Sequence, residues 1–219
     1  GGRGVLLAGV PGVQPAKVVI VGGGVAGENA AYMALGMGAD VTVVERNVDT
    51  MRALVVRFGP ALKTIYSTRL TIEEQVLAAD LVIGAVLVPG AEAPKLVSRE
   101  MVKNMKKGAV LVDIAIDQGG CFETSHPTTH ADPIYIIDDV VHYCVANMPG
   151  AVSHTSTYAL NNVTLPFVLA IADKGYKQAL EDDPHLLNGL NVHRGKVTYK
   201  AVADDLGYDY LDPRDAIAA

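Results

Sequence analysis

The sequence predicts an α/β protein built on a doubly wound parallel sheet, and three observations carry that prediction. Short β-branched runs such as Lys17-Val18-Val19-Ile20-Val21 recur along the first part of the chain. Stretches of helical composition separate them at the spacing of right-handed parallel crossovers. Some of the runs, above all Leu81-Val82-Ile83-Gly84-Ala85-Val86, are apolar without alternation, as strands covered on both faces are.

In chain order, the first strand lies between Pro15 and a run of glycines, and Ala26 to Met37, rich in Ala, Leu and Met, reads as the first helix. Gly38 ends that helix, and Asp40 to Glu45 is the second strand. A helix near Asp49 to Phe58, a strand near Thr64 to Tyr66 and a helix near Ile72 to Ala79 follow. The fourth strand is Leu81 to Val86, a helix spans Ser98 to Met105, the fifth strand is Ala109 to Ile116, and a further β segment covers Val140 to Val145. Past Pro149-Gly150 the βα repeat stops. Ser156 to Lys174 reads as one long helix, broken or kinked near Pro166, with shorter helices at Lys177 to Leu187 and Tyr199 to Leu206. The expected division is a nucleotide-binding domain over 1–153 and a helical C-terminal appendage over 154–219.

Bulk composition narrows the classes of function. Half of the 219 residues are hydrophobic and 19% are charged, which suits a packed globular chain. The formal net charge of −6 argues against a nucleic-acid partner, because phosphate neutralisation needs clustered Lys and Arg. Two cysteines are too few for a disulfide framework and point to a reducing, cytoplasmic compartment. No apolar run is long enough for a membrane helix, and no signal peptide is visible. The opening Gly1-Gly2-Arg3-Gly4, without an initiator Met, reads as a start inside a longer sequence.

The motif with chemical content is Gly22-Gly23-Gly24-Val25-Ala26-Gly27, a G-x-G-x-x-G that follows a strand and opens a helix, with Glu45 at the end of the next strand. In a Rossmann-type domain Gly22 permits the turn, Gly24 lets backbone approach a pyrophosphate, and Gly27 lets helix and strand pack closely. The helix N-terminus presents unpaired N–H groups to the phosphates. Glu45 suits the ribose hydroxyls and repels a 2′-phosphate, favouring NAD over NADP, while the adjacent Arg46 works the other way.

Ligands of open α/β sheets sit beyond the carboxyl ends of the strands, which directs attention to three further segments. Ala85 to Gly90 offers apolar residues, Val86 and Leu87 among them, to an adenine or nicotinamide face. Asp117, after a long apolar strand and before Gly119-Gly120, suits proton exchange or, equally, capping of the turn. Asn147 carries both donor and acceptor for a carboxamide, or forms the turn before Met148-Pro149-Gly150. Ser67 suits an adenosine contact or a plain strand end. Cys121, His126, His130, His142 and Cys144 crowd one stretch, but there is no C-x₂-C pair, so no metal site is expected. A Cys–His nucleophile lacks any oxyanion site nearby.

These segments carry a resemblance. Gly1 to Leu7 with Gly9-Val10-Pro11-Gly12-Val13, Gly84 to Gly90, Asp117-Gln118-Gly119-Gly120-Cys121, Pro127-Thr128-Thr129-His130 and Val141 to Val152 are similar to the alanine dehydrogenase family. So are Leu160-Asn161-Asn162 and Gly189-Leu190-Asn191-Val192, so the likeness runs through nearly the whole chain. The resemblance implies NAD-dependent, reversible oxidative deamination of L-alanine to pyruvate and ammonia, in a homo-oligomer that is commonly a hexamer. It implies cofactor contacts at Gly22, Gly24, Val25, Ala26, Gly27, Glu45, Ser67, Val86, Leu87, Ile114, Asp117, Val145, Ala146, Asn147 and Met148, with Asp117 catalytic. His126 falls where many relatives have an Arg near the cofactor. The family's catalytic His, substrate-binding Lys and carboxylate-binding Arg have no counterpart here, which implies poor turnover by this chain alone. Two alternatives accompany this reading: the NAD-binding component of a transhydrogenase, and a non-catalytic NAD-binding module.

Overall fold

The computed structural model describes residues 2–88 and 92–218, which fall into two compact units, 2–88 with 92–148 and 149–218. The first unit is an α/β sandwich. Its strands are β1 (Lys17–Val21), β2 (Asp40–Glu45), β3 (Leu62–Tyr66), β4 (Leu81–Gly84), β5 (Val110–Asp113), β6 (Ile134–Ile137) and β7 (Val140–Tyr143). Its helices are α1 (Val25–Gly36), α2 (Val48–Phe58), α3 (Arg69–Ala78) and α4 (Arg99–Lys103). The sheet order is β3-β2-β1-β4-β5-β7-β6, parallel throughout except for the antiparallel β6–β7 pair. The chain therefore starts in the middle and winds outward twice, and the order reverses between β1 and β4, where such sheets bind ligands.

Alternation along the strands explains the two covering layers. Val18, Ile20, Val41 and Val43 face one way and pack with Ala31, Ala34 and Leu54 of α1 and α2. Val19, Val21, Val44 and Val82 face the other way, with Ile72 and Val76 of α3 and Met101 and Val102 of α4. Each is buried, and full burial of such a side chain contributes about 1.5–3 kcal/mol. On α1 the buried residues are Gly27, Ala31 and Ala34, a narrow stripe of small residues at helical spacing that lets the helix lie close to the sheet. Beneath the opposite end of the sheet Asp80 takes the N–H of Lys17 at 2.9 Å and pairs with Arg3 and Lys106, each at 3.0 Å.

Element boundaries differ from the sequence expectation where side chains intervene. The fifth strand stops at Asp113 instead of Ile116, because the Asp113 carboxylate accepts the N–H of Ala115 and starts a 3-10 turn over Ile114–Gln118. Asp117 thus sits on that turn. α3 begins at Arg69, ahead of Ile72, because Thr68 and Thr71 form a reciprocal capping box. Ser98 caps α4 instead of belonging to it, accepting the N–H of Met101. β6 is an addition: it pairs with β7 through a two-residue turn in which Asp138 and Asp139 have φ of 51° and 63°. Both values suit a mirror-image hairpin turn, and an Asp-Asp pair is a weaker signal for it than Asn-Gly.

The second unit contains α5 (Ser153–Lys174), α6 (Tyr176–Asp182), α7 (Pro184–Leu187), a two-stranded ribbon of β8 (Val192–His193) and β9 (Lys196–Val197), α8 (Lys200–Leu206) and α9 (Pro213–Ala218). The expected helix over 177–187 is two helices, because Asp183 caps a new one and Pro184, at its first position, cannot continue the old. Pro166 lies inside one continuous α5. Leu180, Leu187 and Ile217 form a small core, whereas no residue of α5 is buried.

Candidate active site

Parallel register gathers the carboxyl ends of the strands along one edge. Val21 stands opposite Val44, Glu45 opposite Tyr66, Val21 opposite Gly84, and Gly84 opposite Asp113. The residues that leave these strands, Gly22, Glu45, Ser67, Ala85 and Ile114, therefore come together although 92 positions separate the first from the last (114 − 22). They wall a cavity of about 740 Å³, within the roughly 300–1,000 Å³ common for small-molecule and cofactor clefts. Val21, Gly24, Val25, Ala26, Asn29, Val44, Arg46, Val86, Leu87, Val88, Pro94, Leu96 and Ala115 complete the wall.

The glycine turn has the shape an anion requires. At Gly22, φ is +99° and an added Cβ would stand 2.8 Å from the carbonyl oxygen of Ala85, so only glycine fits. At Gly24 an added Cβ would meet no protein atom within 4 Å, so this residue keeps open a space that the fold itself does not use. Gly24 is also the N-cap of α1, with no side-chain hydrogen bond capping the first turn. Unpaired N–H groups and the positive end of the helix thus border an open space beside an apolar wall. A pyrophosphate fits that combination.

Glu45 is held rigidly beside this turn. One carboxylate oxygen accepts the N–H of Gly23 at 2.6 Å, and the other accepts those of Arg46 at 2.6 Å and Asn47 at 2.8 Å. Ser67 follows directly, its N–H donating to the Glu45 carbonyl at 2.9 Å. A fixed negative charge next to a phosphate-sized opening suits neutral vicinal hydroxyls and opposes a further phosphate.

Of the residues singled out in the sequence, Gly22, Gly24, Val25, Ala26, Glu45, Ser67, Val86, Leu87 and Ile114 lie in the cavity wall. Gly27 lies beneath the turn, not in the wall. Pro89 and Gly90, named at the end of the Ala85 loop, are outside the described residues. Asp117 and Asn147 form a second group: the N–H of Asn147 donates to an Asp117 oxygen at 3.3 Å, and Asn147 has φ of 55°. Asp117 is exposed, and its other oxygen takes no hydrogen bond from the described residues. Val145 is buried, whereas Ala146 and Met148 are half-buried on the same loop. The His126 ring stacks on Tyr135 at 3.7 Å, and the backbone N–H of His126 donates to the Tyr135 hydroxyl at 3.0 Å.

Sequence reading passed over Asp113, Asn29, Pro94 and Leu96. Asp113 is fully buried and accepts from the N–H groups of Ala115, Cys121 and Phe122 and from the Ser125 hydroxyl. It ties the segment after β5 to the strand end, and a carboxylate inside an apolar run was the available signal. Asn29 lies one turn after Val25 on α1. Pro94 and Leu96 reach the wall because their segment is fixed by long-range bonds, such as the Leu96 N–H to the Cys121 carbonyl at 2.8 Å, which no local pattern announces.

Cys121, Cys144 and His142 are buried and serve packing. Among the described residues no group of three or more His, Cys, Asp or Glu side chains could hold a metal ion. Burial, then the Asp113 charge, raises the Cys121 thiol far above its ordinary pKa, and burial raises that of Cys144. Neither is a nucleophile in this setting. His142 is fully buried: Nδ1 faces the Val140 carbonyl at 3.0 Å, which can only accept, so Nδ1 carries the proton and Nε2 accepts from the Thr124 hydroxyl at 2.8 Å.

Comparison with known proteins adds relationship to geometry. The family described as alanine dehydrogenase/PNT, C-terminal domain, matches residues 1–200. An alanine dehydrogenase of Halomonas elongata is 61% identical over 99% of this chain and 58% of its own length. A solved L-alanine dehydrogenase superposes with a TM-score of 0.86 at 53% identity, covering 94% of this chain and 57% of that one. A transhydrogenase from Sinorhizobium meliloti gives a TM-score of 0.61 at 31% identity over 70% of this chain and 45% of that one. The chain thus spans less than two thirds of the length of these relatives.

Proposed function

Because the chain belongs to the alanine dehydrogenase/PNT C-terminal domain family, we propose that it is the NAD-binding portion of an enzyme that reversibly deaminates L-alanine to pyruvate and ammonia. The observation that carries this reading is the continuous cavity from Glu45 across the Gly22–Gly24 turn to Ile114. Glu45 takes the adenosine ribose, the α1 N-terminus takes the pyrophosphate, and the edge beyond β4, β5 and β7 is left for the nicotinamide half. NAD, when bound, supplies the hydride acceptor for the alanine Cα.

The chain's own residues orient and move protons. Val86, Leu87 and Ile114 present apolar surface that excludes water from the reacting end. Asp117 is anchored through one oxygen by Asn147 and holds or releases a proton at the other. Val145, Ala146, Asn147 and Met148 border the carboxamide end, and His126 borders the cofactor.

Substrate contacts come from a segment outside this chain, and 154–219 docks against it. The exposure of Leu160 at 63%, Val163 at 62% and Phe167 at 40% supports this, because a helix gains most of its stability by burying an apolar face. The assembly is a homo-oligomer in the cytoplasm. Among the described residues no helix is long and apolar enough to cross a membrane.

Titrating the purified chain with NADH, by calorimetry or nicotinamide fluorescence, tests the reading. Saturable binding with weaker NADPH uptake is expected. Folded protein that takes up neither dinucleotide overturns it. The greater identity to alanine dehydrogenase, 53% against 31%, favours it over a transhydrogenase component. A non-catalytic module is distinguished by supplying the N-terminal portion of a relative, which restores alanine-dependent NADH formation only if this chain is the enzyme's second half.

A further inference from the structure

Four residues after the end of β7 the backbone adopts a left-handed conformation at Asn147, with φ of 55°. Asn tolerates this region better than most residues, yet it is not the resting state of an unconstrained chain. The conformation aims the Asn147 N–H at Asp117, 3.3 Å away. Something must hold the peptide there.

The holding element is the segment that precedes β6. Thr128 pairs with Val145 as a parallel bridge, with the Thr128 N–H on the Cys144 carbonyl at 2.9 Å and the Ala146 N–H on the Thr128 carbonyl at 3.1 Å. The Thr128 hydroxyl is itself anchored on the Pro133 carbonyl at 3.0 Å. Counting two residues onward in parallel register brings 130 opposite 147, and there His130 Nε2 lies 3.0 Å from the Asn147 carbonyl oxygen. A carbonyl only accepts, so Nε2–H donates, and this holds for the neutral Nε2–H tautomer and for the imidazolium alike. One residue is thus gripped from both sides: its carbonyl by His130, its N–H by Asp117.

We propose that His130 is a positioning residue for the nicotinamide end of the cleft, acting through the backbone conformation of Asn147 on the orientation of Asp117. The inference rests on the dinucleotide reading given above. His130 touches neither cofactor nor substrate. Its imidazole fixes the peptide after Asn147 through the carbonyl; that restrains φ and ψ at Asn147 and so the preceding peptide, whose N–H fixes one Asp117 oxygen and leaves the other to face the reacting end.

The sheet order supplies the test. Glu45 and Ser67 lie on the β2–β3 side of the glycine turn, and Asp117 and Asn147 lie on the opposite, β5–β7 side. Loss of the His130 donor therefore weakens a ligand that reaches the second side and spares one that stops at the first. With His130→Phe, NADH binding to the full chain weakens roughly two- to tenfold, the scale of one hydrogen bond, while ADP-ribose affinity stays at the wild-type value. His130→Gln, which keeps an N–H at similar reach, restores most of the NADH affinity. In parallel, amide exchange at Asn147 accelerates in the Phe variant without any ligand. Unchanged NADH affinity in His130→Phe, equal weakening of both ligands, or a Gln variant as weak as Phe overturns the proposal. Failure of the wild-type chain to bind NADH or ADP-ribose instead overturns the dinucleotide reading itself, and with it this inference.

Discussion

The carbonyl oxygen of Gly22 would stand 1.9 Å from a Cβ at Gly27, so helix α1 and the turn before it are in contact through bare backbone. Gly24, between them, has no protein atom within 4 Å of the same added carbon. Two glycines of one motif thus have separable jobs, one in the fold and one toward a ligand.

Substituting them tells the two apart. Gly27→Ala forces helix and turn to separate and is expected to destabilise the protein by about 1–3 kcal/mol or more, read by denaturant unfolding. Gly24→Ala leaves stability within about 1 kcal/mol, as a change at an N-cap does. Its methyl occupies the phosphate position, and NADH affinity is expected to fall about tenfold or more in calorimetry.

Glu45→Gln keeps the shape and removes the charge. Its carboxylate accepts three backbone N–H groups, and an amide replaces one good acceptor by a donor. NADH binding is expected to weaken about tenfold, roughly 1.4 kcal/mol. The preference over NADPH narrows at the same time, because repulsion of the extra phosphate is gone. A preserved preference would show that something other than this charge discriminates.

Asp113→Asn tests the buried carboxylate behind β5. Hydrogen bonds to charged groups contribute about 1.5–3 kcal/mol each, and an amide cannot accept from all four partners. A loss of about 2–4 kcal/mol is expected in chemical denaturation. NADH affinity falls with it, since Ile114, immediately after, is in the cavity wall.

His142 makes the fold sensitive to mild acid. Burial holds its pKa below the ordinary value, against the opposing effect of the Val140 carbonyl. A base depressed in the folded state is neutral there while its unfolded counterpart takes up a proton. Its stabilising contribution is complete above the unfolded pKa of about 6.5 and is lost as the pH falls through the folded value. Melting temperatures recorded from pH 7.5 downward should decline below about pH 6.5, and His142→Gln should flatten that slope. A wild-type curve flat through this range would contradict the assignment.

Asp80 adds a second decline at lower pH. Burial raises its pKa, but the Lys17 N–H, Lys106 and Arg3 outweigh that and leave it below the ordinary carboxylate value. Its contribution is present above about pH 4 and is lost as the pH falls through the lowered value, so Asp80→Asn should remove this acid limb.

The nucleotide-binding half of the fold was legible because its information is local. Lys17 to Val21, the glycines that follow and Glu45 sit within one βαβ unit, where hydrophobic period and turn chemistry specify the geometry directly. The hairpin of β6 with β7 was not legible, since its turn is an Asp138-Asp139 pair whose left-handed backbone is sustained by the strand pairing around it. The strand expected to reach Ile116 also had the right apolar character, but the Asp113 side chain ended it by bonding to Ala115.

The sequence by itself therefore determined the α/β class, the strand-turn-helix that accommodates a phosphate, and the acid that stands beside it. Only the tertiary structure decided that Ile114 joins Gly22 in one wall, that Asp113 is a structural anion, and that His130 and Asp117 grip Asn147 from opposite sides. The physical reason is range. Propensity and periodicity act over a few residues, whereas parallel register and buried hydrogen bonds join positions far apart in the chain, and their partners exist only once the sheet has assembled.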